Sequence, residues 1–128
     1  MKFTLKTTIN ATAQEIYTAW FSSKGHSAMT GAGATITAVV GKKFTAWDGY
    51  ISGTNLELIP HSKIVQAWRT TSFKDSDEDS NIEIILIEVK GKTVLTLTHS
   101  NIPKDGEDYK KGWEDYYFKP MKDYFSTK

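Results

Sequence analysis

Three polar residues in predicted strands are the first candidates for chemistry in this sequence. His99 alternates with Leu95 and Leu97, so it shares their face of a predicted strand. An inward histidine is either a hydrogen-bonded core residue or a polar group that orients a ligand carbonyl or hydroxyl in an apolar pocket. Asn55 and Glu57 lie on another predicted strand, where each faces either a cavity or solvent.

A tryptophan beside an arginine is the second candidate. Neighbouring strand residues point to opposite faces, so an inward Trp68 places Arg69 outside, as a surface ion-pair partner. Trp68 is then either a core residue or part of a cavity wall. Aromatic residues near the C-terminus recur at helical spacing and would face it. The predicted cavity candidates are Trp68, His99, Tyr109, Trp113, Tyr117 and Asn55.

Catalytic, cofactor and metal motifs are missing from the sequence. The chain has no cysteine, and His26 and His61 lie in predicted loops without metal-ligand spacing. The acidic run 75–79 lacks the glycine and ligand period of a calcium loop, so we interpret it as solvated. No phosphate-binding loop, dinucleotide fingerprint or Ser-His-Asp signature occurs. We therefore assign no catalytic, cofactor or metal residue and favour a protein that is not an enzyme.

Composition and charge limit the function classes. The 16 basic and 15 acidic residues give a net charge of +1, which provides no overall field for nucleic acid or anionic membranes. No apolar run approaches the roughly 20 residues of a membrane span, and there is no signal-peptide pattern. A chain of 128 residues without cysteine fits one domain in a reducing compartment. We expect a single domain, residues 1–128, in the cytoplasm, with neither nucleic-acid binding nor membrane insertion.

The elements that must position these residues follow the order strand, helix, strands, helix. The first strand covers 2–9, and Thr12 with Glu15 forms a capping box that opens a helix. Residues 26–33 form either a further helical turn or a mobile flap. Asp48-Gly49 predicts a hairpin turn, and Gly53 a bulge or a close backbone approach. Further strands are predicted over 34–39, 44–47, 50–59, 63–71, 82–89 and 93–99, with 82–89 covered on both faces.

The final helix is predicted from Asp105 to Phe125. Pro120 lies inside it and should kink it, since proline in a helix costs about 3 kcal/mol. So many rings on one face require a large apolar partner surface. The predicted apolar face consists of Tyr109, Trp113, Tyr116, Tyr117, Met121, Tyr124 and Phe125.

Three segments together resemble a known family. They are the run 48–60, the segment Lys63-Ile64-Val65-Gln66-Ala67-Trp68-Arg69, and the closing segment from Gly112-Trp113 to Phe125. They are similar to the C-terminal domain of the activator of the heat shock protein 90 ATPase. The resemblance implies an α+β helix-grip fold of the START-like superfamily. Such a fold has a curved antiparallel sheet of about six to seven strands around a long C-terminal helix, with a short N-terminal helical segment.

Three functions are compatible with these observations. The first is a non-catalytic, stress-related binding protein that holds a small hydrophobic ligand between the sheet and the C-terminal helix. The resemblance implies the second, a cochaperone-like protein that binds a 90-kDa heat shock chaperone. The third is a cyclase-like or hydrolase-like enzyme of the same superfamily, which would need His99 to converge with Asn55 or Glu57 in a cavity.

Overall fold

Six strands form one antiparallel sheet in the computed structural model, which describes residues 2–103 and 108–126. The spatial order is β1-β6-β5-β4-β3-β2, so each strand lies beside its neighbour in the sequence except that β1 pairs with β6. Short hairpins make this meander, as predicted. The strands are β1 (Phe3–Ile9), β2 (Lys43–Ala46), β3 (Ile51–Ile59), β4 (Lys63–Thr70), β5 (Ser80–Val89) and β6 (Lys92–Ser100).

The helices pack together on one face of the sheet. Their buried side chains and the inward side chains of the strands form one hydrophobic core. This is the α+β helix-grip architecture expected from the sequence, with two short N-terminal helices. The helices are α1 (Ala13–Trp20), α2 (Ser23–Thr30), α3 (Asp108–Trp113) and α4 (Lys119–Ser126), and the π-helical turn Glu114–Phe118 joins α3 to α4.

The predicted capping box opens α1. The backbone amide of Glu15 donates to Thr12 Oγ1 at 3.1 Å, and the amide of Thr12 donates to Glu15 Oε1 at 3.0 Å. These two bonds satisfy amides that have no partner inside the helix. The amide of Ala13 donates to Glu88 Oε1 at 2.9 Å, which ties the start of α1 to β5.

The segment after α1 is helical. Ser22 caps α2 by accepting from the amide of Gly25 at 3.0 Å, and Gly31 ends the helix in the left-handed conformation. The prediction that His26 lies in a loop is wrong, because His26 lies within α2 and is buried. His61 lies in the turn between β3 and β4, as predicted, and is exposed.

A strand over 34–39 is not formed. Only Thr35 makes a bridge, with Thr45 of β2. The carbonyls of Thr37 and Val39 accept hydrogen bonds from the side chain of Asn55 instead of from a neighbouring strand. The β-branched composition alone suggested a strand, but the pairing with β2 stops at the single bridge of Thr35.

The structure corrects the prediction for β5 and decides between the two alternatives predicted for Gly53. β5 is covered on one face only, because all helices lie on the same side, and Ile87 is left more than half exposed. Gly53 is a close backbone approach, since an added Cβ would overlap the carbonyl oxygen of Ala67 and come within 2.7 Å of the Phe44 ring. The bulge lies further on, where the pairing with β4 shifts between Asn55 and Glu57.

The buried face of the C-terminal helix has the predicted spacing but differs from the prediction at individual residues. Trp113, Tyr117, Met121 and Phe125 are buried at a regular spacing of four. The prediction that Tyr116 and Tyr124 also face the core is wrong, because both are exposed. Phe118, which the pattern did not select, is buried.

The irregularity expected at Pro120 takes the form of the π-helical turn just before it. There the amide of Lys119 donates to the carbonyl of Glu114, five residues earlier. Such a wide turn relieves the clash between a proline ring and the carbonyl four residues before it. The predicted helix start at residues 105–107 lies outside the described residues.

Candidate functional site: an aromatic pocket

An apolar cavity of about 370 Å³ lies between the sheet and the C-terminal helix. Its volume falls within the roughly 300–1,000 Å³ typical of ligand pockets. No charged side chain lines it, and seven of its lining residues are aromatic. We call it the aromatic pocket, and it is lined by Trp47, Tyr50, Ile51, Trp68, Tyr109, Gly112, Trp113, Tyr116 and Tyr117.

Three adjacent rings form one wall of this pocket. The Trp68 and Trp113 rings are 5.6 Å apart at an interplanar angle of 36°, and the Trp113 and Tyr117 rings are 4.8 Å apart at 34°. Tyr109 meets Trp68 edge-on, with 5.4 Å between ring centroids and an angle of 87°. A wall of mutually tilted rings with one perpendicular ring offers both face and edge contacts to a planar molecule.

His99 lies behind this wall and is completely buried. The indole N–H of Trp113 donates to His99 Nδ1 at 3.0 Å, so Nδ1 is the unprotonated nitrogen. His99 Nε2 therefore carries the proton and donates to Ser80 Oγ at 2.8 Å. Ser80 Oγ in turn donates to the carbonyl of Trp68 at 2.6 Å. Both ring nitrogens are thus used to hold the wall in place.

Burial also decides the charge of His99. Desolvation lowers the pKa of His99 to about 3, because the charged imidazolium would lose its hydration inside the core. A neutral imidazole is the form that can accept from Trp113. The network and the pKa therefore agree that His99 is an uncharged structural support at neutral pH.

A second histidine supports the same wall from the other side. His26 Nδ1 donates to the carbonyl of Trp20 at 2.9 Å, so His26 Nε2 accepts from the Tyr117 hydroxyl, also at 2.9 Å. Burial lowers the pKa of His26 and raises the pKa of Tyr117. The Tyr117 ring thus contributes to the pocket while its hydroxyl is bonded within the core.

Trp47 and Tyr116 lie at the mouth of the aromatic pocket. Their rings meet edge-on with 5.5 Å between centroids, and Tyr116 is 60% exposed. Trp47 belongs to the short 3₁₀ turn Trp47–Gly49, where Trp47 and Asp48 both have positive φ angles, of 51° and 57°. Such conformations are costly for residues other than glycine. Asp48 holds the turn, since Asp48 Oδ1 accepts from the amide of Gly33 at 2.8 Å.

Hydroxyl groups provide the polar part of the pocket. The Tyr109 hydroxyl is 2.7 Å from Thr70 Oγ1, and the Tyr50 hydroxyl is 3.2 Å from Ser72 Oγ. Burial acts to raise the pKa of Tyr50, but hydrogen bonds from Ser72, Thr70 and Tyr109 outweigh it, so this pKa is lowered. These hydroxyls can donate to or accept from a polar group on a bound molecule.

Two polar candidates lie away from the pocket. Asn55 is buried, but its side chain bonds the carbonyls of Thr37 and Val39. Glu57 is exposed and forms an ion pair with Lys63 at 3.3 Å. The enzyme hypothesis requires His99 to converge with Asn55 or Glu57 in one cavity. The structure does not bring these residues together in that way. The bulge at Leu56 explains why Asn55 and Glu57, two positions apart, face opposite sides of the sheet.

The structure brings together four of the six candidates. Trp68, Tyr109, Trp113 and Tyr117 line the pocket, and His99 stands behind them. Trp68 is also core, and Arg69 forms an ion pair with Asp79 at 2.8 Å, as strand alternation indicated. The sequence carried one overlooked signal, namely that aromatic residues flank the Asp48-Gly49 turn. Sequence reasoning did not assign Trp47, Tyr50, Ile51, Gly112 and Tyr116 to the pocket.

Among residues 2–103 and 108–126, no group of three histidine or acidic side chains is arranged to hold a metal ion. No helix in the described part of the chain is long and apolar enough to cross a membrane.

Comparison with known protein families gives a clear match. The family model described as "Activator of Hsp90 ATPase homolog 1-like protein" matches residues 10–126. The chain belongs to this family. The match includes the helices, nearly the whole sheet and every residue that lines the aromatic pocket.

Curated relatives of this family are longer than the chain. The human activator of 90 kDa heat shock protein ATPase homolog 1 is 34% identical over 125 residues, which is 97% of this chain but 37% of the human protein. A homologue from Dictyostelium discoideum is 28% identical over 95% of this chain and 32% of its own length. The chain thus corresponds to about a third of each relative.

Solved structures agree on the fold. The crystal structure of an HSP90 activator from Plasmodium falciparum superposes with a TM-score of 0.89 at 25% identity, covering 98% of this chain and 96% of that one. The Aha1 dimer from Colwellia psychrerythraea gives a TM-score of 0.81 at 19% identity, covering 98% and 96%. At the lower identity, the likeness supports the fold alone.

Proposed function

We propose that this member of the Hsp90-activator family is a non-catalytic binding protein that takes a small, flat, apolar ligand into the aromatic pocket. The observation that carries this proposal is the cavity of about 370 Å³ with seven aromatic rings and no charged lining residue. Transfer of apolar surface from water into such a site contributes roughly 25 cal/mol per Å².

The shape and polarity of the pocket favour a planar ligand with one polar group. The adjacent Trp68, Trp113 and Tyr117 rings, tilted by 36° and 34° between neighbours, offer aromatic faces on which a ligand ring can pack. The Tyr50 and Tyr109 hydroxyls can hydrogen-bond a hydroxyl or carbonyl of the ligand. An anionic ligand is disfavoured, because no cationic side chain lines the pocket to replace its hydration.

A neutral fluorescent probe, N-phenyl-1-naphthylamine, tests the proposal. The variant Gly112→Leu fills the pocket from its helical wall, where a Cβ would come no closer than 3.9 Å to Tyr116. We expect saturable probe binding by the wild type and at least tenfold weaker binding by G112L. The matched control Lys111→Leu places the same side chain on the adjacent exposed position and should bind like the wild type. Equal binding by G112L, or no saturable binding by the wild type, would contradict the proposal.

A second function is favoured by the comparisons. We propose that the chain also binds a 90-kDa heat shock chaperone, supported by 34% identity to the human activator over 97% of the chain. Since the chain spans 37% of that protein, the activator's full effect on the ATPase is not carried over. A stress-related role and a cytoplasmic location stay predictions that accompany this function.

Titration of the fluorescently labelled chain with purified 90-kDa chaperone tests this second function. We expect a saturable rise in fluorescence anisotropy, because the complex tumbles far more slowly than a chain of 14.4 kDa. Chaperone ATPase rates measured in the same samples would show whether binding alters turnover. A flat titration with correctly folded protein would rule the function out.

A further inference from the structure

The segment before β2 displays aliphatic side chains in a fixed arrangement. We call residues 37–42 the valine loop, because Val39 and Val40 lie at its tip and are 50% and 58% exposed. Neighbouring Leu56, at the bulge of β3, is 46% exposed. The amide of Gly41 donates to the carbonyl of Asn55 at 2.9 Å, which brings the loop beside Leu56.

Asn55 holds the valine loop from beneath. Its Nδ2 donates to the carbonyls of Thr37 at 2.7 Å and Val39 at 3.0 Å. Its backbone amide donates to the carbonyl of Lys42 at 3.0 Å. Gln66 Nε2 fixes the Asn55 side chain by donating to Oδ1 at 2.8 Å, and both of these residues are fully buried.

This arrangement is unusual because the hydrogen bonds come from buried polar groups, while the apolar side chains point to water. The exposed valines do not hold the loop; the Asn55 network does. A surface already fixed in one conformation loses less entropy when it binds a partner. Clustered, exposed aliphatic side chains are also typical of interaction sites.

Charge defines what kind of partner fits. Lys42 and Lys43 follow the valines after a single glycine, Gly41, and are exposed, and neither forms an ion pair with an acidic group in the described ranges. An aliphatic tip followed by two unpaired lysines complements an apolar groove rimmed by carboxylates.

We propose that the valine loop, together with Leu56, Lys42 and Lys43, is the surface that docks on a protein partner through an apolar groove with an acidic rim. The identity of the partner rests on the second proposed function, which is binding of the 90-kDa chaperone. It is independent of the aromatic pocket, because none of these residues lines that cavity.

The composition of the surface favours a protein over a membrane. Side chains that anchor proteins at lipid interfaces are typically tryptophan and tyrosine, whereas this tip is valine and leucine. Attraction to anionic lipid usually involves clusters of about four to eight basic residues, and here there are two adjacent lysines.

The test measures the affinity of labelled chain for purified 90-kDa chaperone by fluorescence anisotropy. The variants are Val39→Ser/Val40→Ser, Leu56→Ser and Lys42→Glu/Lys43→Glu. Controls are Val89→Ser, an exposed valine at the end of β5, and Lys6→Glu on β1, at the opposite edge of the sheet from β2. All the altered side chains are exposed, so the unfolding midpoints should stay close to that of the wild type.

We expect at least tenfold weaker binding by the serine variants. The variant Lys42→Glu/Lys43→Glu should bind the chaperone more weakly than the wild type. Its affinity should also lose most of its dependence on salt, since the substitution removes the attraction to carboxylates. The two controls should bind like the wild type.

Three results would overturn the inference. Unchanged affinity of the valine and leucine variants would contradict the proposed docking surface but not the proposed binding of the chaperone. Failure of the wild type to bind would contradict both proposals. Loss of binding to phosphatidylserine–phosphatidylcholine vesicles in the serine variants, with chaperone affinity unchanged, would make the loop a membrane contact instead.

Discussion

His99 illustrates how a single residue type can support two different interpretations. An inward histidine beside a pocket suits ligand binding, yet both of its nitrogens already bond within the core, to Trp113 and Ser80. Its neutral form supports the wall on which a ligand would stack. The histidine therefore acts on the pocket indirectly, by positioning Trp113.

The lowered pKa of His99 predicts that stability depends on pH. The unfolded chain takes up a proton near pH 6.5, whereas buried His99 resists protonation down to about pH 3. Its contribution is complete above pH 6.5 and is lost as pH falls, at about 1.4 kcal/mol per unit. Between pH 7 and pH 5 we expect His99 to account for a loss of about 2 kcal/mol in the free energy of unfolding.

Urea denaturation at both pH values measures this loss. In His99→Gln, the free energy of unfolding should fall by about 2 kcal/mol less than in the wild type between pH 7 and pH 5, whatever the absolute stability of the variant. The control His61→Gln alters an exposed turn residue and should keep the wild-type fall. An equally steep fall in H99Q would mean that His99 is not the group responsible.

The indole N–H of Trp113 provides a second residue-level prediction. Trp113→Phe keeps a ring in the wall but leaves buried His99 Nδ1 without its donor. An unsatisfied buried acceptor costs about 1–3 kcal/mol, which chemical denaturation can resolve. Trp47→Phe is the matched control, because no partner for the Trp47 indole nitrogen exists within the described residues. Equal losses in the two variants would show that ring size matters and the hydrogen bond does not.

Irregular elements shape both proposed surfaces. The π-helical turn Glu114–Phe118 places Tyr116 at the pocket mouth, and the bulge between Asn55 and Glu57 turns Asn55 toward the valine loop. Bulges and π-helical turns occur frequently at functional sites. Here each of them redirects a side chain that regular periodicity would have placed elsewhere.

Two glycines should respond in opposite ways to alanine. Gly53→Ala forces a Cβ against the Ala67 carbonyl and the Phe44 ring, so we expect a loss of about 3 kcal/mol or more. Gly112→Ala meets no atom closer than 3.9 Å and lies in the helical region, so a gain of about 0.5–1 kcal/mol is expected. Thermal or urea unfolding of both variants tests this pair. Tolerance of alanine at Gly53 would refute the close approach of β3 to β4.

The molecule as a whole depends on the contact between its helical layer and its sheet. Phe125, near the C-terminal end, is almost completely buried, and α4 packs against both α2 and β1. One core is shared by all these elements. Such a molecule should unfold as a single cooperative unit.

Phe125→Ala tests this cooperativity. We expect a loss of about 3–5 kcal/mol in unfolding free energy, because a large buried ring is replaced by a cavity. Tryptophan fluorescence and far-ultraviolet circular dichroism should shift together, since the helices and strands share that core. Tyr124→Ala, at the adjacent exposed position, should lose much less. Separate transitions from the two probes would contradict the prediction of a single domain.

Local sequence patterns determined most of the scaffold. Alternation placed Trp68 and His99 inside and Arg69 outside, and the Thr12–Glu15 pattern identified the start of α1. These predictions succeeded because a side chain's face, or a helix cap, depends on residues only a few positions away. The spacing of Trp113, Tyr117, Met121 and Phe125 likewise identified the buried face of the final helix.

Tertiary structure decided the roles of the polar groups. Tyr117 bonds His26, 91 residues away, and Trp113 bonds His99 from a different element. No local pattern reveals such partners, since they meet only when the helix packs on the sheet. The bulge at Leu56 also breaks strand alternation, and so Asn55 supports the valine loop instead of lining the pocket. The sequence by itself established an aromatic helix gripped by a sheet. Only packing across the chain determined which side chains are used up by hydrogen bonds in the core and which face a ligand or a partner.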